Sequence, residues 1–292
     1  MDNRAEVREF LTSRRERITP ELVGLPAGGN RRVAGLRRSE VATLAGMSVE
    51  YYTKLERGHI SGASPDVLHS LAQALLLDDA ERAYLFDLAN AASPVGRPRK
   101  RRSGKGWNPS PGLQWALDGF SAGPAFVRNG RMDLLAVNPL ARAFYDELYD
   151  LPGRTPNIAR HTFLDERAFN FYPDWDGFAD ITVAILRTEA ARDPHNKELH
   201  DLIGELCTRS DEFRTRWGKH NVRHHGSGVK NFHHAVVGDM TLAYEGMDME
   251  AHHGLTFTVY SPEPGSPSEE AMRLLALWAD TRDFGIAGAN FL

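Results

Sequence analysis

The 292-residue sequence contains one cysteine, Cys207, and no long apolar run. A single cysteine excludes intramolecular disulfides and multi-cysteine zinc sites, and it is typical of a protein in a reducing compartment. A membrane-spanning helix needs roughly 18 or more consecutive apolar residues. The charged N-terminal segment also lacks the apolar stretch of a signal peptide. We therefore expect a cytoplasmic protein without membrane segments.

The common catalytic motifs are also missing. The sequence has no GxSxG elbow, no GxxxxGK[ST] phosphate loop, no GxGxxG dinucleotide loop and no HExxH zinc motif. Ten of the twelve histidines lie beyond residue 107, but adjacent histidines on a strand point to opposite faces and offer at most one ligand to a common metal. We expect no catalytic residues, no metal and no built-in cofactor. An enzyme domain that uses these histidines and carboxylates is a weaker alternative.

Charge is divided unevenly along the chain. Residues 1–106 contain 18 Lys and Arg against 13 Asp and Glu, whereas residues 107–292 contain 17 against 26. The basic residues concentrate in two stretches without acids, 31–38 and 97–105. This asymmetry is typical of a nucleic-acid-binding module joined to a second module. A solvated surface with a charged linker explains the charges alone equally well.

Periodicity and helix caps divide the chain into three segments. Residues 1–91 predict five short helices and a small all-α domain. Residues 92–112 are rich in Pro, Gly, Ser and basic residues, which predicts a linker that is either a tether or a phosphate-contacting arm. Residues 113–292 mix helices with about five strands, including one over Phe232–Val237 and a hairpin with its turn at Asn129-Gly130, and predict an α+β domain with an antiparallel sheet.

The most specific pattern is a helix-turn-helix in segment 38–57. Two helices that cross closely need a small residue, supplied by Ala42, and the tight turn needs a residue that tolerates positive φ, supplied by Gly46. An ordinary helical hairpin is the alternative. The positions that should close the pair are all apolar or aromatic: Val41, Ala45, Met47, Tyr52 and Leu55.

Burial of Tyr52 and Leu55 leaves the opposite face of the second helix free to enter a major groove. There Glu50 can accept from cytosine, Lys54 can donate to guanine and Val49 can pack on a thymine methyl group. Glu56 has a structural alternative, pairing with a nearby arginine. The predicted base-contacting residues are Val49, Glu50, Tyr51 and Lys54. The predicted phosphate-contacting residues are Arg37, Arg38, Ser39, Ser48, Thr53 and Arg57.

Four segments carry a resemblance to known regulators: GLRRSEVATLAGMSVEYYTKLERG, SPDVLHSLAQALLL, HHAVVGDMTLAYEG and TFTVYSPEPGSPSEEAMRLL. Residues 1–91, which contain the first two, resemble the Xre, lambda-repressor-like helix-turn-helix regulators, whose DNA-binding domain has five helices. Together the four resemble the MmyB-like regulators, whose C-terminal ligand-binding domain is PAS-like. The resemblance covers nearly the whole chain. It implies a bacterial one-component transcription factor that senses a small lipophilic molecule, with a fatty acid as a candidate.

Aromatic residues are dense between 144 and 178. The stretch FNFYPDW is broken by Pro173, so one helix face cannot bury all its rings, and some should line a cleft for a small molecule. Core packing is the alternative for each ring. Arg223, His224 and Lys230 are the candidates to meet a ligand carboxylate. The predicted ligand-binding residues are Phe144, Phe163, Phe169, Tyr172, Trp175, Trp217, Arg223 and His224.

These features together predict a ligand-responsive regulator that binds a double-stranded DNA operator as a homodimer. A two-fold symmetric dimer would place its recognition helices about 34 Å apart in successive major grooves. One alternative is a regulator whose second domain serves only dimerisation. The sequence does not indicate the operator, the target genes or the sign of regulation.

Overall fold

A computed structural model describes residues 2–26, 33, 35–93, 107–150, 154–222 and 226–282. The chain forms two compact units. The first comprises Met1–Lys100, Val183–Cys207 and Arg214–His224, and the second comprises Arg101–Thr182, Thr208–Phe213 and His225–Leu292. Most of the predicted linker, residues 94–106, lies outside the described residues.

All five helices predicted for residues 1–91 are present in the first unit. They are α1 (Asn3–Arg17), α2 (Arg38–Leu44), α3 (Val49–Glu56), α4 (Pro65–Ala74) and α5 (Asp79–Ala92), with a 3-10 helix at Pro20–Val23 after α1. The α5 helix begins with a reciprocal cap, because the Asp78 carboxylate accepts from the Glu81 N–H and the Glu81 carboxylate accepts from the Asp78 N–H. The local sequence is therefore sufficient to predict where α5 begins.

The core of the first unit joins these helices. Buried apolar residues recur at helical spacing along these helices. Each fully buried apolar side chain stabilises the folded state by roughly 1.5–3 kcal/mol relative to an exposed one. Phe10 and Tyr84 meet edge to face, with ring centroids 5.0 Å apart. Members of this core include Phe10, Leu11, Leu36, Val41, Tyr52, Leu55, Leu71, Tyr84, Leu85 and Leu88.

The second unit contains a five-stranded antiparallel sheet in the order β2-β1-β5-β4-β3. Its strands are β1 (Ala125–Asn129), β2 (Leu134–Val137), β3 (Ser227–His234), β4 (Gly238–Asp248) and β5 (Leu255–Pro262). The α+β prediction is therefore confirmed. The strand predicted to run through Val237 ends at His234, because the chain turns there into Gly238, which has a φ of +76°.

The remaining helices follow the predicted helical stretches. They are α6 (Pro111–Gly119), α7 (Pro139–Phe144), α8 (Ile158–Leu164), α9 (Ala168–Phe171), α10 (Trp175–Arg192), α11 (Lys197–Arg209), α12 (Asp211–Trp217) and α13 (Pro267–Thr281), with a 3-10 helix at Asp146–Tyr149. Within the described ranges, no helix combines the length and apolarity that crossing a bilayer requires.

One face of the sheet carries most of the rings. Phe126 pairs with Thr258 and Tyr244 pairs with Tyr260, and paired residues of antiparallel strands share a face. Lys230 lies on the same face because it pairs with Leu242, two residues from Tyr244. We call the face formed by Phe126, Lys230, Phe232, Tyr244 and Tyr260 the ring face. On the opposite face, Ala125, Val127 and Leu255 pack with Leu117 of α6.

Candidate nucleic-acid interface and ligand-binding site

The helix-turn-helix has the backbone that its sequence predicts. Gly46 adopts a φ of +64°, and a Cβ there would meet nothing within 4 Å, so the glycine is required by the backbone and not by space. Ala42 is buried at the crossing of α2 and α3. The Ser48 hydroxyl accepts a hydrogen bond of 3.1 Å from the Tyr51 N–H and caps α3. The turn thus presents α3 as a second helix with a defined outer face.

That outer face forms a groove of about 470 Å³. It is lined by Val49, Glu50, Thr53, Lys54, Arg57 and His59. Five of these six are residues that the sequence predicts as DNA contacts. Only Thr53 of the five is half-buried, and the others are exposed. A donor, an acceptor and an apolar group therefore share one surface, which is the combination that base-edge readout needs.

His59 is the residue of this groove that the sequence interpretation omits. It follows Gly58, whose φ of +91° ends the helix, and its N–H donates to the Lys54 carbonyl at 3.2 Å. This bond holds the chain after α3 beside the helix and leaves the imidazole exposed. A glycine next to the end of a recognition helix was the available indication that the following side chain returns to that face.

The other predicted DNA contacts differ in how exposed their side chains are and in how strongly existing contacts restrain them. Arg37 and Ser39 are exposed at the start of α2. Ser48 is exposed, although its oxygen already caps α3. Tyr51 is half-buried and packs against the core of the unit, so the core restrains its ring. Arg38 is about half exposed, and its Nε donates to Glu56, which leaves the rest of the guanidinium for other partners.

Glu56 is a buried anchor of α3. Its carboxylate is 1% exposed and accepts from the Arg15 Nε at 2.5 Å, from the Tyr52 hydroxyl at 3.1 Å and from Arg38. Burial raises the pKa of Glu56, but the hydrogen bonds and charges of the two arginines outweigh it and lower the pKa overall. The predicted pairing with a nearby arginine is therefore confirmed, and a second arginine from α1 joins it.

The second unit contains a dense ring cluster. Phe144 lies 4.8 Å from Tyr145, 5.2 Å from Phe171 and 4.9 Å from Phe232, all between ring centroids and all edge to face. Tyr172 extends the cluster, 4.9 Å from Phe171. Two predicted ligand residues, Phe144 and Tyr172, are thus buried here. Their core role is evident, and each ring also borders the ring face of the sheet.

Three other predicted ligand residues form a separate group near the ends of α8, α9 and α10. The Trp175 ring stacks on Phe169 at 4.7 Å and meets Phe163 at 5.8 Å. Phe169 is 58% exposed. The Trp175 Nε1 donates to the Thr162 carbonyl at 3.0 Å, which fixes the indole. Trp217 belongs to the first unit, where the Arg187 guanidinium lies over its ring. Arg223 and His224 lie outside the described residues.

Buried hydroxyl groups accompany the ring cluster. In the part of the chain that the structure describes, the Thr258 hydroxyl is buried without a hydrogen-bond partner. The buried Tyr145 and Tyr172 hydroxyls interact with the hydroxyls of Tyr260 and Thr162. Burial raises the pKa of both tyrosines well above the ordinary value, so their hydroxyls stay neutral. An unpaired buried hydroxyl is costly. The Thr258 hydroxyl therefore supplies a donor and an acceptor that an incoming polar group can satisfy.

One cluster in the first unit has the residue types of a metal site. Glu6, Glu9 and His220 bring their ligand atoms together. However, the two imidazole nitrogens serve different carboxylates, Nδ1 at 3.3 Å from Glu6 and Nε2 at 3.2 Å from Glu9. The fully buried Arg187 is also paired with Glu6. A guanidinium already neutralises that carboxylate, so the cluster fits an ion-pair network better than a cation site.

Two family profiles match the chain. The MmyB-like transcription regulator ligand binding domain matches residues 109–275, more than half of the chain, and a helix-turn-helix domain matches residues 6–85. No curated protein matches the chain. The helix-turn-helix match contains α2, α3 and the whole groove, and the other match contains the sheet and its ring face. The protein therefore belongs to the MmyB-like transcription regulators and carries a helix-turn-helix domain ahead of the ligand-binding domain.

Proposed function

We propose that the protein binds a specific double-stranded DNA operator by placing α3 in the major groove. The observation that carries this proposal is the single groove that unites Val49, Glu50, Thr53, Lys54 and Arg57. Lys54 and Glu50 provide opposite hydrogen-bonding roles for guanine and cytosine, and Val49 provides an apolar contact. Arg37, Arg38 and Ser39 lie at the start of α2 and are suited to phosphates, which position a protein without reading sequence.

A homodimer is the second element of the proposal. One recognition helix reads only a short half-site, and two copies related by a two-fold axis would read two half-sites about 34 Å apart. The operator would then be pseudo-palindromic. This part is supported by the usual symmetry of such regulators and by the short half-site that the helix-turn-helix domain at residues 6–85 can read.

The ligand-binding domain would sense a small lipophilic molecule, for which a fatty acid is the candidate. The ring cluster around Phe144 and Tyr172 supports an apolar ligand, and the unpaired Thr258 hydroxyl on the ring face supports one with a polar group. Ligand binding would shift the population between states with different operator affinity. We propose no catalytic activity for this unit and a cytoplasmic location.

The DNA-binding proposal is tested with a site selected from random-sequence duplexes by the full-length protein. Lys54→Ala should weaken binding to the selected site by about 1–3 kcal/mol, the usual value for a base-contacting side chain. Arg82→Ala is the matched control, since Arg82 is exposed on α5 and pairs, within the described part of the chain, with Asp79. Equal affinities of the Lys54 variant and the wild type would contradict the proposed interface.

Native mass spectrometry of the full-length protein tests dimerisation and ligand binding together. The proposal predicts a dimer that releases a lipid-sized mass on denaturation, or that takes up added fatty acid. A dimer that takes up no lipid would favour a domain used only for dimerisation. A monomer at concentrations that saturate the operator would contradict the symmetric arrangement.

A further inference from the structure

The imidazole of His220 lies beside three charged side chains of the first unit. Its Nδ1 is 2.9 Å from Nη1 of Arg187 and 3.3 Å from Oε1 of Glu6, and its Nε2 is 3.2 Å from Oε2 of Glu9. The His220 side chain is only 13% exposed. Glu6 and Glu9 belong to α1, and Arg187 belongs to α10. The ring therefore connects two helices through its own hydrogen bonds.

The two partners of the His220 Nδ1 cannot both be satisfied in one protonation state. A guanidinium only donates hydrogen bonds, and a carboxylate only accepts them. A neutral imidazole with its proton on Nε2 accepts from Arg187 through Nδ1 and donates to Glu9. The imidazolium carries a proton on each nitrogen, so its Nδ1 donates to Glu6 and no longer accepts from Arg187. Protonation therefore transfers one hydrogen bond of the ring from α10 to α1.

The charges around His220 are unbalanced while the ring is neutral. Burial raises the pKa of Glu6, but its hydrogen bonds and the charge of Arg187 lower it to about 2, so this carboxylate stays ionised. Arg8 is exposed and 3.8 Å from Glu9, where a pair contributes little. Two carboxylates thus face one guanidinium, and an imidazolium supplies the missing positive charge. The charged and titratable groups around the ring and its partners are Glu6, Arg8, Glu9 and Arg14 of α1, Tyr84 of α5, Arg187 of α10 and the adjacent Lys219.

The segment that carries His220 is bound to α1 through its backbone as well. The His220 carbonyl accepts a hydrogen bond of 2.5 Å from Arg14, and Val222 is buried in the core of the first unit. His220 has a φ of +52°, a left-handed conformation that is uncommon for a residue with a Cβ. We call residues 217–222 the latch segment. Its backbone contacts bring the imidazole to the two carboxylates of α1.

The helix that receives these bonds also fixes the recognition helix. The Arg15 Nε of α1 donates to Glu56 of α3 at 2.5 Å. A Cβ at Gly58, just after α3, would lie 2.3 Å from the Arg4 carbonyl oxygen, so the backbone of α1 closely approaches the end of α3. A displacement of α1 would therefore also displace α3 and its groove within the first unit.

We propose that His220 is a positioning residue whose protonation binds the latch segment to α1 and thereby favours the arrangement of α1 and α3 that fits the operator. This inference rests on the proposed DNA-binding function and adds a regulation of it by pH. Imidazoles change charge between about pH 5 and pH 8, so sequence recognition should strengthen as the pH falls through that range. By linkage, operator binding should in turn favour the imidazolium.

The test measures the dissociation constants of the full-length protein for the selected duplex and for a scrambled duplex, at one salt concentration, at about pH 8 and about pH 5.5. The ratio of the two constants is the sequence preference. In wild type this preference should rise at least about fivefold at the lower pH, the lower limit of typical coupling between sites. In His220→Asn, which does not titrate and tolerates a positive φ, it should rise less than about twofold.

Two further variants sharpen the comparison. Glu9→Gln should reduce the rise, because one acceptor of the imidazolium loses its charge, and this half-exposed position keeps the test decisive if His220→Asn does not fold. His195→Gln is the matched control, at an exposed histidine of the same unit, and should rise as wild type does. His59 of the groove is present in all these proteins, so its own titration does not separate them.

The outcomes separate the latch from the function on which it rests. A preference that does not change with pH in wild type, or a rise that persists in His220→Asn or in Glu9→Gln, would overturn the latch while operator recognition stands. If wild type shows no preference at either pH, both proposals are contradicted.

Nitrogen-15 NMR of the His220 ring at about pH 8, without DNA, provides an independent check. The proposal predicts a proton on Nε2 and none on Nδ1. A neutral ring with its proton on Nδ1 would contradict the bond to Arg187 and the proposed transfer.

Discussion

At the scale of single residues, buried charged side chains fix the position of α3 in the first unit. Glu56 holds α3 through Arg15 of α1 and Arg38 of α2. The sequence predicts only that Glu56 can pair with a nearby arginine, and it does not identify which one. Arg15 is 41 residues away, and nothing in local periodicity predicts that its guanidinium reaches the same carboxylate.

Glu56→Gln should strongly destabilise the helix-turn-helix. The substitution leaves the buried Arg15 guanidinium without its counter-charge, and breaking a buried pair costs about 3–5 kcal/mol. Urea unfolding measures the loss. Glu16→Gln is the control, because Glu16 is exposed and 3.8 Å from Arg15, where a pair contributes at most about 1 kcal/mol. Similar losses in the two variants would contradict the structural role of Glu56.

The lowered pKa of the Glu6 carboxylate should make the free energy of unfolding depend on pH. Burial raises the pKa of Glu6, but hydrogen bonds and charges from His220, Arg187 and Tyr84 lower it to about 2. The folded-state pKa is therefore below the unfolded value of 4.5. Its stabilisation is complete above that unfolded value and is lost as the pH falls towards about 2. The shift corresponds to about 3 kcal/mol.

Unfolding free energies measured across this range provide the check. In wild type they should decrease steadily as the pH is lowered from about 5 to about 2. In Glu6→Gln the decrease should be smaller, because one of the responsible carboxylates is gone. Parallel curves for the two proteins would show that the Glu6 carboxylate is not stabilised by folding.

His59→Ala should weaken operator binding although His59 is outside the helix. The exposed imidazole lines the same groove as Lys54, and loss of one polar contact typically costs about 1 kcal/mol. Binding to the selected site measures the effect. His253→Ala, at an exposed histidine of the second unit, should leave the affinity unchanged. An unchanged affinity for His59→Ala would remove this residue from the interface.

At the scale of elements, the turns around α3 depend on two glycines for different reasons. Gly46 needs only its positive φ, whereas a Cβ at Gly58 would lie 2.3 Å from the Arg4 carbonyl oxygen. The first requirement is local and was predicted from the spacing within segment 38–57. The second arises from the approach of α1, a contact across more than fifty residues, and the sequence offers no pattern that predicts it.

The two glycines can be compared directly. Gly46→Ala should cost about 1–2 kcal/mol, the penalty of a left-handed backbone for a residue with a Cβ. Gly58→Ala should cost clearly more, because the backbone of α1 must also move, and it should weaken operator binding through the shifted end of α3. Thermal unfolding of both variants checks the order. A smaller loss for Gly58→Ala would contradict the close approach.

In the sheet, too, some features follow from local sequence and others from contacts between distant residues. The strands were predictable from alternation, and the Asn129-Gly130 pair correctly places the turn between β1 and β2. The surroundings of Lys230 depend on the register of β3, β4 and β5, which joins residues 228, 244 and 260 on one face. Local sequence does not determine that register, so the sequence identifies Lys230 only as one of several candidate cations.

At the scale of the whole molecule, the compact units are not continuous segments of the chain. The prediction divides the chain at residues 91 and 113, whereas Val183–Cys207 and Arg214–His224 belong to the same unit as the first 100 residues. Within that unit the fully buried Arg187 pairs with Glu6 of α1. A buried arginine within an otherwise amphipathic helix resembles a surface charge in the sequence. Its partner identifies it only once the fold is known.

The central claim, that α3 reads a DNA sequence, is tested most directly by a ratio of affinities. The measurement is the dissociation constant of the full-length protein for a site selected from random duplexes, and for a scrambled duplex of the same composition, at one salt concentration. The account predicts that the selected site binds at least about a thousandfold more tightly. Nearly equal constants would show binding through phosphate charge alone and would contradict the account.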